Sequence, residues 1–253
     1  MPTVTGTVTT VAYAAPLSLN GVVTVTAASP SSPTPASSTT TATLHTLYNR
    51  AARAFILRDI PLTYSLIESA FEVLTPPLII PDTLADHRRK WDILRITLES
   101  TVYTSPPASN DLMPKSLQEN QIKTPQALLT GAYTRSLALF SPQNDHTNPN
   151  AAHLPPQVLI TLIYSSLRVN CPEAGRIVIE EWLARRDVPI HFIQDAATKE
   201  NNYEKVLELY CLHILPKLEQ WDYAREFLEY EGELPTPIRD VSFLQSRIFK
   251  VSI

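Results

Sequence analysis

The sequence predicts an all-α fold: a stack of antiparallel helical hairpins behind a disordered N-terminal tail. Three observations predict it. Apolar residues recur at helical spacing from Leu44 onward, prolines interrupt that pattern at short intervals, and the turn between paired helices is built alike at three places. With 253 residues and 44% hydrophobic content the chain can bury one sizeable core, read as a single domain over 42–253.

Residues 1–41 are dominated by Thr, Ser, Pro, Ala and Val. That composition is too poor in large apolar groups to offset the entropy of ordering, so a mostly disordered tail is expected. Asn20-Gly21, set between the alternating runs VTTVAY and VVTVT, is a hairpin signal, although an isolated two-stranded hairpin is marginal. The first helical stripe is Leu44, Leu47, Tyr48, Ala51 and Phe55. After the break at Arg58-Asp59-Ile60-Pro61 a second follows at Leu66, Ile67, Ala70, Phe71 and Leu74, with Pro61 in a first turn where its missing N–H costs nothing. Asp82 is the expected cap of a longer helix through Leu84, Trp91, Leu94, Leu98 and Val102.

The Pro-rich stretch 104–123 reads as a loop with a turn of helix at Lys115 to Asn120, and Thr124-Pro125 opens a helix through Phe140. The clearest hairpin is LPPQVLITLIYSSLRVNCPEAGRIVIEEWLARRD, residues 154–187. Pro155 and Pro156 open its first helix, Cys171-Pro172 restart the chain, and the second helix sets Ala174, Ile177, Val178 and Trp182 on one side with Ile179 and Leu183 on another. A helix from about Asn202 to Leu215 is apolar almost all round and belongs inside, which makes His213 a core histidine rather than a base. Pro216 kinks or ends it, and Trp221, Ala224, Phe227 and Leu228 supply the return helix. A last amphipathic segment begins at Thr236-Pro237.

Three hairpins turn alike: LRDIPLTYSLIESAF, LRVNCPEAGRIVIEEW and LEQWDYAREFLEY. Each has a Leu closing the first helix, a short polar break, and a small residue (Thr63, Ala174, Ala224) soon after it, where helices cross closely. This resembles the tetratricopeptide turn, without that repeat's strict period of about 34 residues. The stack is therefore a degenerate tetratricopeptide-like solenoid, offering a groove or a convex face to a partner.

Several chemistries are not signalled. Five glycines leave no GxGxxG or GxxxxGK[ST] loop, the six histidines lack zinc-ligand spacing, and there is no GxSxG elbow. No catalytic residue, metal ligand or cofactor is expected, and the chain is read as a non-enzyme. A net charge of −4 gives no general attraction to nucleic acid or an anionic membrane, and no apolar run approaches the length of about 20 residues that spans a bilayer. Cys171 and Cys211 suit a reduced setting, with Cys171 a small turn residue. The basic run His87-Arg88-Arg89-Lys90 is either a solvated helix face or a dock for an acidic partner; Glu226, Glu229, Glu231 and Glu233 read as solvated, and Trp91, Trp182 and Trp221 as core.

At PPQVLITLIYSSLRVNCPEAGRIVIEEWL the chain resembles the cytosolic domain of the tail-anchored peroxins, peroxin fifteen in yeast and peroxin twenty-six in animals and filamentous fungi. LYNRAARAFILRDIPLTYSLIESAFEVL and LHILPKLEQWDYAREFL are similar to that family's first hairpin and to its Leu-Pro break before an Ala-containing return helix, in the same order over about 44–230. The resemblance implies an adaptor facing the cytosol at the peroxisomal membrane. Its partner would be the hexamer of paired AAA-type peroxin ATPases, bound chiefly through the N-terminal region of the second one, so that the cycling import receptor can be extracted and recycled. It further implies a monomeric domain whose membrane contact is a C-terminal anchor that does not occur by Ile253. On this reading the partner contact is expected at Leu57, Arg58 and Asp59, with Arg88 and Arg89 as a second patch. The alternative is a generic tetratricopeptide-like peptide receptor or chaperone adaptor. Its groove would need clustered Lys, Arg and Asn on inner faces that here carry Leu, Ile and Ala.

Overall fold

The computed structural model describes residues 35–78, 82–107, 113–143, 149–185 and 196–232. Within them every regular element is helical: α1 (Pro35–Ile56), α2 (Ile60–Phe71), α3 (Ala85–Thr104), α4 (Lys115–Gln121), α5 (Pro125–Phe140), a 3₁₀ turn (Ala151–His153), α6 (Pro156–Arg168), α7 (Pro172–Arg185), α8 (Ala196–Leu209), a π turn (Tyr210–Ile214), α9 (Leu215–Lys217) and α10 (Trp221–Tyr230). The all-α hairpin stack is thus the architecture found. The Asn20-Gly21 hairpin and the segment from Thr236 lie outside the described residues.

Composition alone misplaces the start of the helical domain, because α1 begins at Pro35 and not near Ala42. Thr and Ser disfavour helix by offering the backbone other hydrogen bonds. Here the Thr43 and Thr46 hydroxyls instead donate to the carbonyls of Thr39 and Ala42, one turn back.

Two cores share α3. The first gathers Leu44 and Ala51 of α1, Leu66, Ile67 and Ala70 of α2, Trp91, Leu94, Leu98 and Val102 of α3, and Met113 and Leu117 beside α4. The second is built by α5 to α10 around Val158, Leu159, Ile163, Ile179, Tyr210 and Leu215, and α3 sends Ile96 into it. α3 packs on α6 as well as on α1, α2 and α4, so it is the wall between the two cores. Polar contacts tie it there. Asp92, wholly buried, accepts from Arg95 Nη2 at 2.5 Å and from Ser136 Oγ of α5 at 2.7 Å. Glu99 accepts from Arg135 of α5, and Ser165 of α6 donates to Ser100 at 3.3 Å.

The three hairpin corners share one backbone. Among the described residues, the non-glycine ones in the left-handed region are Arg58 (φ 60°), Asn170 (φ 55°) and Glu219 (φ 59°), one at each corner. In each, the left-handed residue donates its N–H three residues back: Arg58 to Phe55, Asn170 to Leu167, Glu219 to Pro216. The next residue donates five back: Asp59 to Ala54 at 2.9 Å, Cys171 to Ser166 at 2.8 Å, Gln220 to Leu215 at 2.9 Å. This pair of bonds is the Schellman motif, which satisfies the last carbonyls of a helix. The next helix then begins without an intervening loop.

This geometry corrects the register of the repeat. The residue before the left-handed one is Leu57, Val169 or Leu218, and the small residue falls five positions after the left-handed one: Thr63, Gly175 and Ala224. Counting from Leu167 selects Ala174, one residue early. A Cβ on Gly175 would lie 2.3 Å from Ser166 Oγ and 2.8 Å from Ile214 Cδ1, so α7 touches both its hairpin partner and the π turn at that point.

Other expectations also shift. Asp82 does not cap α3, whose N-cap is Leu84; its carboxylate accepts from Leu84 N–H at 3.1 Å and pairs with Arg88. Ile177 is 54% exposed rather than buried with Val178, and Trp221 is only half-buried. The helix expected over Asn202 to Leu215 starts at Ala196 and widens into the π turn before Pro216, where Leu215 N–H bonds to Tyr210 O. Proline has no N–H for the α-helical ladder, and a π turn is one way to absorb that gap. His213 lies in this widened turn and is exposed, so it is not a core histidine.

The crossing at Gly175 gives a direct test. Gly175→Ala is expected to lower unfolding stability in urea by about 1–3 kcal/mol through overpacking. Gly131→Ala, with nothing within 4 Å of its added Cβ on α5, is expected to raise it by about 0.5–1 kcal/mol, because alanine suits a helix better. Similar shifts for the two variants would show that the close crossing does not constrain α7.

Candidate functional site

Helix α1 ends in a surface of mixed character. Ile56 is 78% and Leu57 72% exposed, and Arg58 follows in the left-handed position, also exposed. Counting back along α1, Arg53 and Arg50 lie four and seven residues before Leu57, so they share its face. Both are exposed, and among the described residues no carboxylate pairs with either. Asp59 is held differently. It is the N-cap of α2, its Oδ1 accepting from Leu62 N–H at 3.1 Å, while its carbonyl accepts from Thr63 Oγ1 at 2.7 Å. Leu57 and Arg58 are therefore presented together, and Asp59 fixes the backbone beneath them.

The two arginines of the second expected patch are held differently. Arg88 is only 3% exposed. Its guanidinium pairs with Asp82 and donates from Nε and Nη2 to Thr75 O at 3.0 and 2.8 Å, anchoring the start of α3 to the chain leaving α2. A buried guanidinium with its donors so occupied cannot meet a partner. Arg89 is half-buried and donates to Asp86 at 2.8 Å. His87 is buried, and desolvation, with Lys90 and His45 nearby, pushes its imidazole below its usual range. Of this basic run, Lys90 alone is both charged and fully exposed.

Ile56, Arg50 and Arg53 were missed by sequence reasoning, and a signal for the first was available. Ile56 falls off the stripe Leu44, Leu47, Tyr48, Ala51, Phe55, so a large apolar residue was pointing away from the core.

Elsewhere several polar side chains are tied into the packing. Tyr133 donates to Glu181 at 2.9 Å and Tyr210 to Glu180 at 2.7 Å; burial and these carboxylates raise both phenols. Burial pushes the Cys211 thiol up to about 12, which keeps it protonated and unreactive. An open cavity of about 290 Å³ beside α10 is lined by Tyr223, Glu226, Phe227, Tyr230 and Glu231, an acidic and aromatic wall. Among the described residues, no group of His, Cys, Asp and Glu could hold a metal ion, and no helix is long and apolar enough to cross a membrane. No protein-family model, curated protein or solved structure matches the chain.

The two arginines at the start of α3 should separate cleanly. Arg88→Ala leaves Asp82 and the Thr75 carbonyl without their donor and is expected to cost about 2–4 kcal/mol of stability. Arg89→Ala removes a largely solvated pair worth less than about 1 kcal/mol. Urea denaturation of the two variants measures both, and equal losses would refute the anchoring role of Arg88.

Proposed function

We propose that this chain is an adaptor that recruits the hexamer of AAA-type peroxin ATPases to the peroxisomal membrane, its helical domain facing the cytosol. There it supports extraction and recycling of the matrix-protein import receptor. The support is of two kinds. The order of the hairpins and the placement of their prolines resemble the tail-anchored peroxins. The described helices also present a contact surface, while Arg88, Asp92 and Glu99 are held in contacts within the fold.

The single observation that carries the reading is the exposed pair Ile56 and Leu57 beside Arg58. An apolar pair rimmed by arginine has the composition of an interface anchor, with Arg enriched at such sites and the apolar side chains supplying the desolvated area. The contact is assigned to Leu57 and Arg58, with Asp59 as their support and Arg88 excluded.

The test is retention of the purified ATPase hexamer on immobilised chain at micromolar concentration. Leu57→Ser combined with Arg58→Glu is expected to weaken retention roughly tenfold or more, the equivalent of about 1.4 kcal/mol, without altering the thermal unfolding midpoint. Absence of retention by the unmodified chain would overturn the assignment of partner.

A further inference from the structure

The three corners act as internal controls for one another, because their backbones coincide and their coverings do not. At the second corner, Val169 occupies the position of Leu57. It is 7% exposed, buried in a cluster with Leu128 and Leu129 of α5, Cys171 and Ala174. At the third, Leu218 is partly buried against the larger core. One residue earlier the second and third corners carry cations, Arg168 and Lys217. A cation suits the last turn of a helix, where unpaired carbonyls make the potential negative. The first corner differs at both positions: its last-turn cation is Arg53, and its final pair is Ile56-Leu57, apolar and exposed. Neither helix capping nor core packing explains that choice.

We propose that the first corner is a docking site for an amphipathic helix of a partner protein that carries neighbouring large apolar residues and carboxylates. The second corner supplies the template. There an adjacent leucine pair, Leu128-Leu129, closes over Val169, and the first corner has the same apolar position with no covering helix among the described residues. Charge chooses the flanks. Arg50, Arg53 and Arg58 surround Ile56 and Leu57, and Arg50 lies about 10 Å from Leu57 along α1 at a rise of 1.5 Å per residue. Carboxylates within about two turns of the apolar pair would therefore reach these guanidiniums, whose planar fork suits them. The tail of this chain is a poor occupant, since residues 1–34 contain no Asp or Glu.

The inference rests on the adaptor reading only in taking the first corner as the contact face; the chemistry of the occupant follows from the corner itself. It is tested by panning a phage-displayed library of randomised helical peptides on immobilised chain, then titrating the recovered peptides by fluorescence polarisation. The expected peptides combine neighbouring apolar residues with two or more carboxylates. Leu57→Ser and, separately, Arg53→Glu should each weaken them at least tenfold, with unfolding midpoints unchanged because both side chains are exposed. Four outcomes would overturn the proposal: no enrichment, enriched peptides without carboxylates, binding indifferent to both substitutions, or self-association of the chain that Leu57→Ser abolishes. A photo-reactive side chain at Asn49 that crosslinks to residues 1–34 would overturn it as well, by naming the tail as occupant. The two readings fail separately. Peptide binding without retention of the ATPase hexamer removes only the recruiter assignment, whereas hexamer retention indifferent to both substitutions leaves that assignment and removes the first corner as its contact.

Discussion

The fold depends on one backbone constraint: a helix that ends in a left-handed residue and restarts immediately as the next helix. With only three residues between the two helices, the left-handed one in the middle, their axes are forced together, so the first inward residue of the second helix meets the last turn of the first. That residue must be small, which accounts for Thr63, Gly175 and Ala224 at a constant five positions after Arg58, Asn170 and Glu219. None of the three left-handed residues is glycine. An L-residue there costs roughly 1–2 kcal/mol, a cost offset in place by the two backbone bonds that close each corner and, at the first, by the Asp59 cap of α2.

The hairpins were legible because apolar periodicity and proline placement are local signals. Leu66, Ile67, Ala70 and Leu74 are buried as their spacing requires, and Thr124 caps α5 by accepting from Ala127 N–H. The repeat was visible too, but its register was not. Sequence counting anchored the second corner on Leu167, the last residue of the apolar stripe, whereas the left-handed residue is Asn170, three positions on, where the other corners have it one position after their leucine. Asparagine tolerates the left-handed region better than most residues, so Asn170 was the available signal for the pivot. His213 failed for a related reason. A 3.6-residue count assumes a uniform helix, and the π turn before Pro216 changes the angular spacing where that histidine falls.

Buried polarity was the least legible part. His87-Arg88-Arg89-Lys90 reads as a charged patch because a sequence shows residue types and not their partners. In the structure Arg88 is consumed by Asp82 and the Thr75 carbonyl, and further along α3 Asp92 and Glu99 are consumed by Arg95, Ser136 and Arg135. These groups give α3 a polar register against α2 and α5 that apolar contacts, being non-directional, do not supply. A helix shared by two cores needs such a register, since a rotation that improved one core would spoil the other. The candidate site was half legible in the same sense. Leu57 and Arg58 sat at a recognisable corner, while their exposure depended on the absence of a neighbouring helix that no local pattern encodes.

The division of labour at a corner explains how one backbone can serve both packing and recognition. The hydrogen bonds that define it are made by main-chain groups, and the side chain it restricts most is the small residue five positions on. The two residues that end the first helix are left free by this geometry: Arg168 and Val169, Lys217 and Leu218, or Ile56 and Leu57 all fit it. Whether such a pair belongs to the core is then decided by what lies over it. α5 lies over the second corner and makes Val169 interior, whereas Leu57, in the same local conformation, remains at the surface. A stack of this kind acquires a contact surface by leaving one corner uncovered, with no change to the fold that supports it.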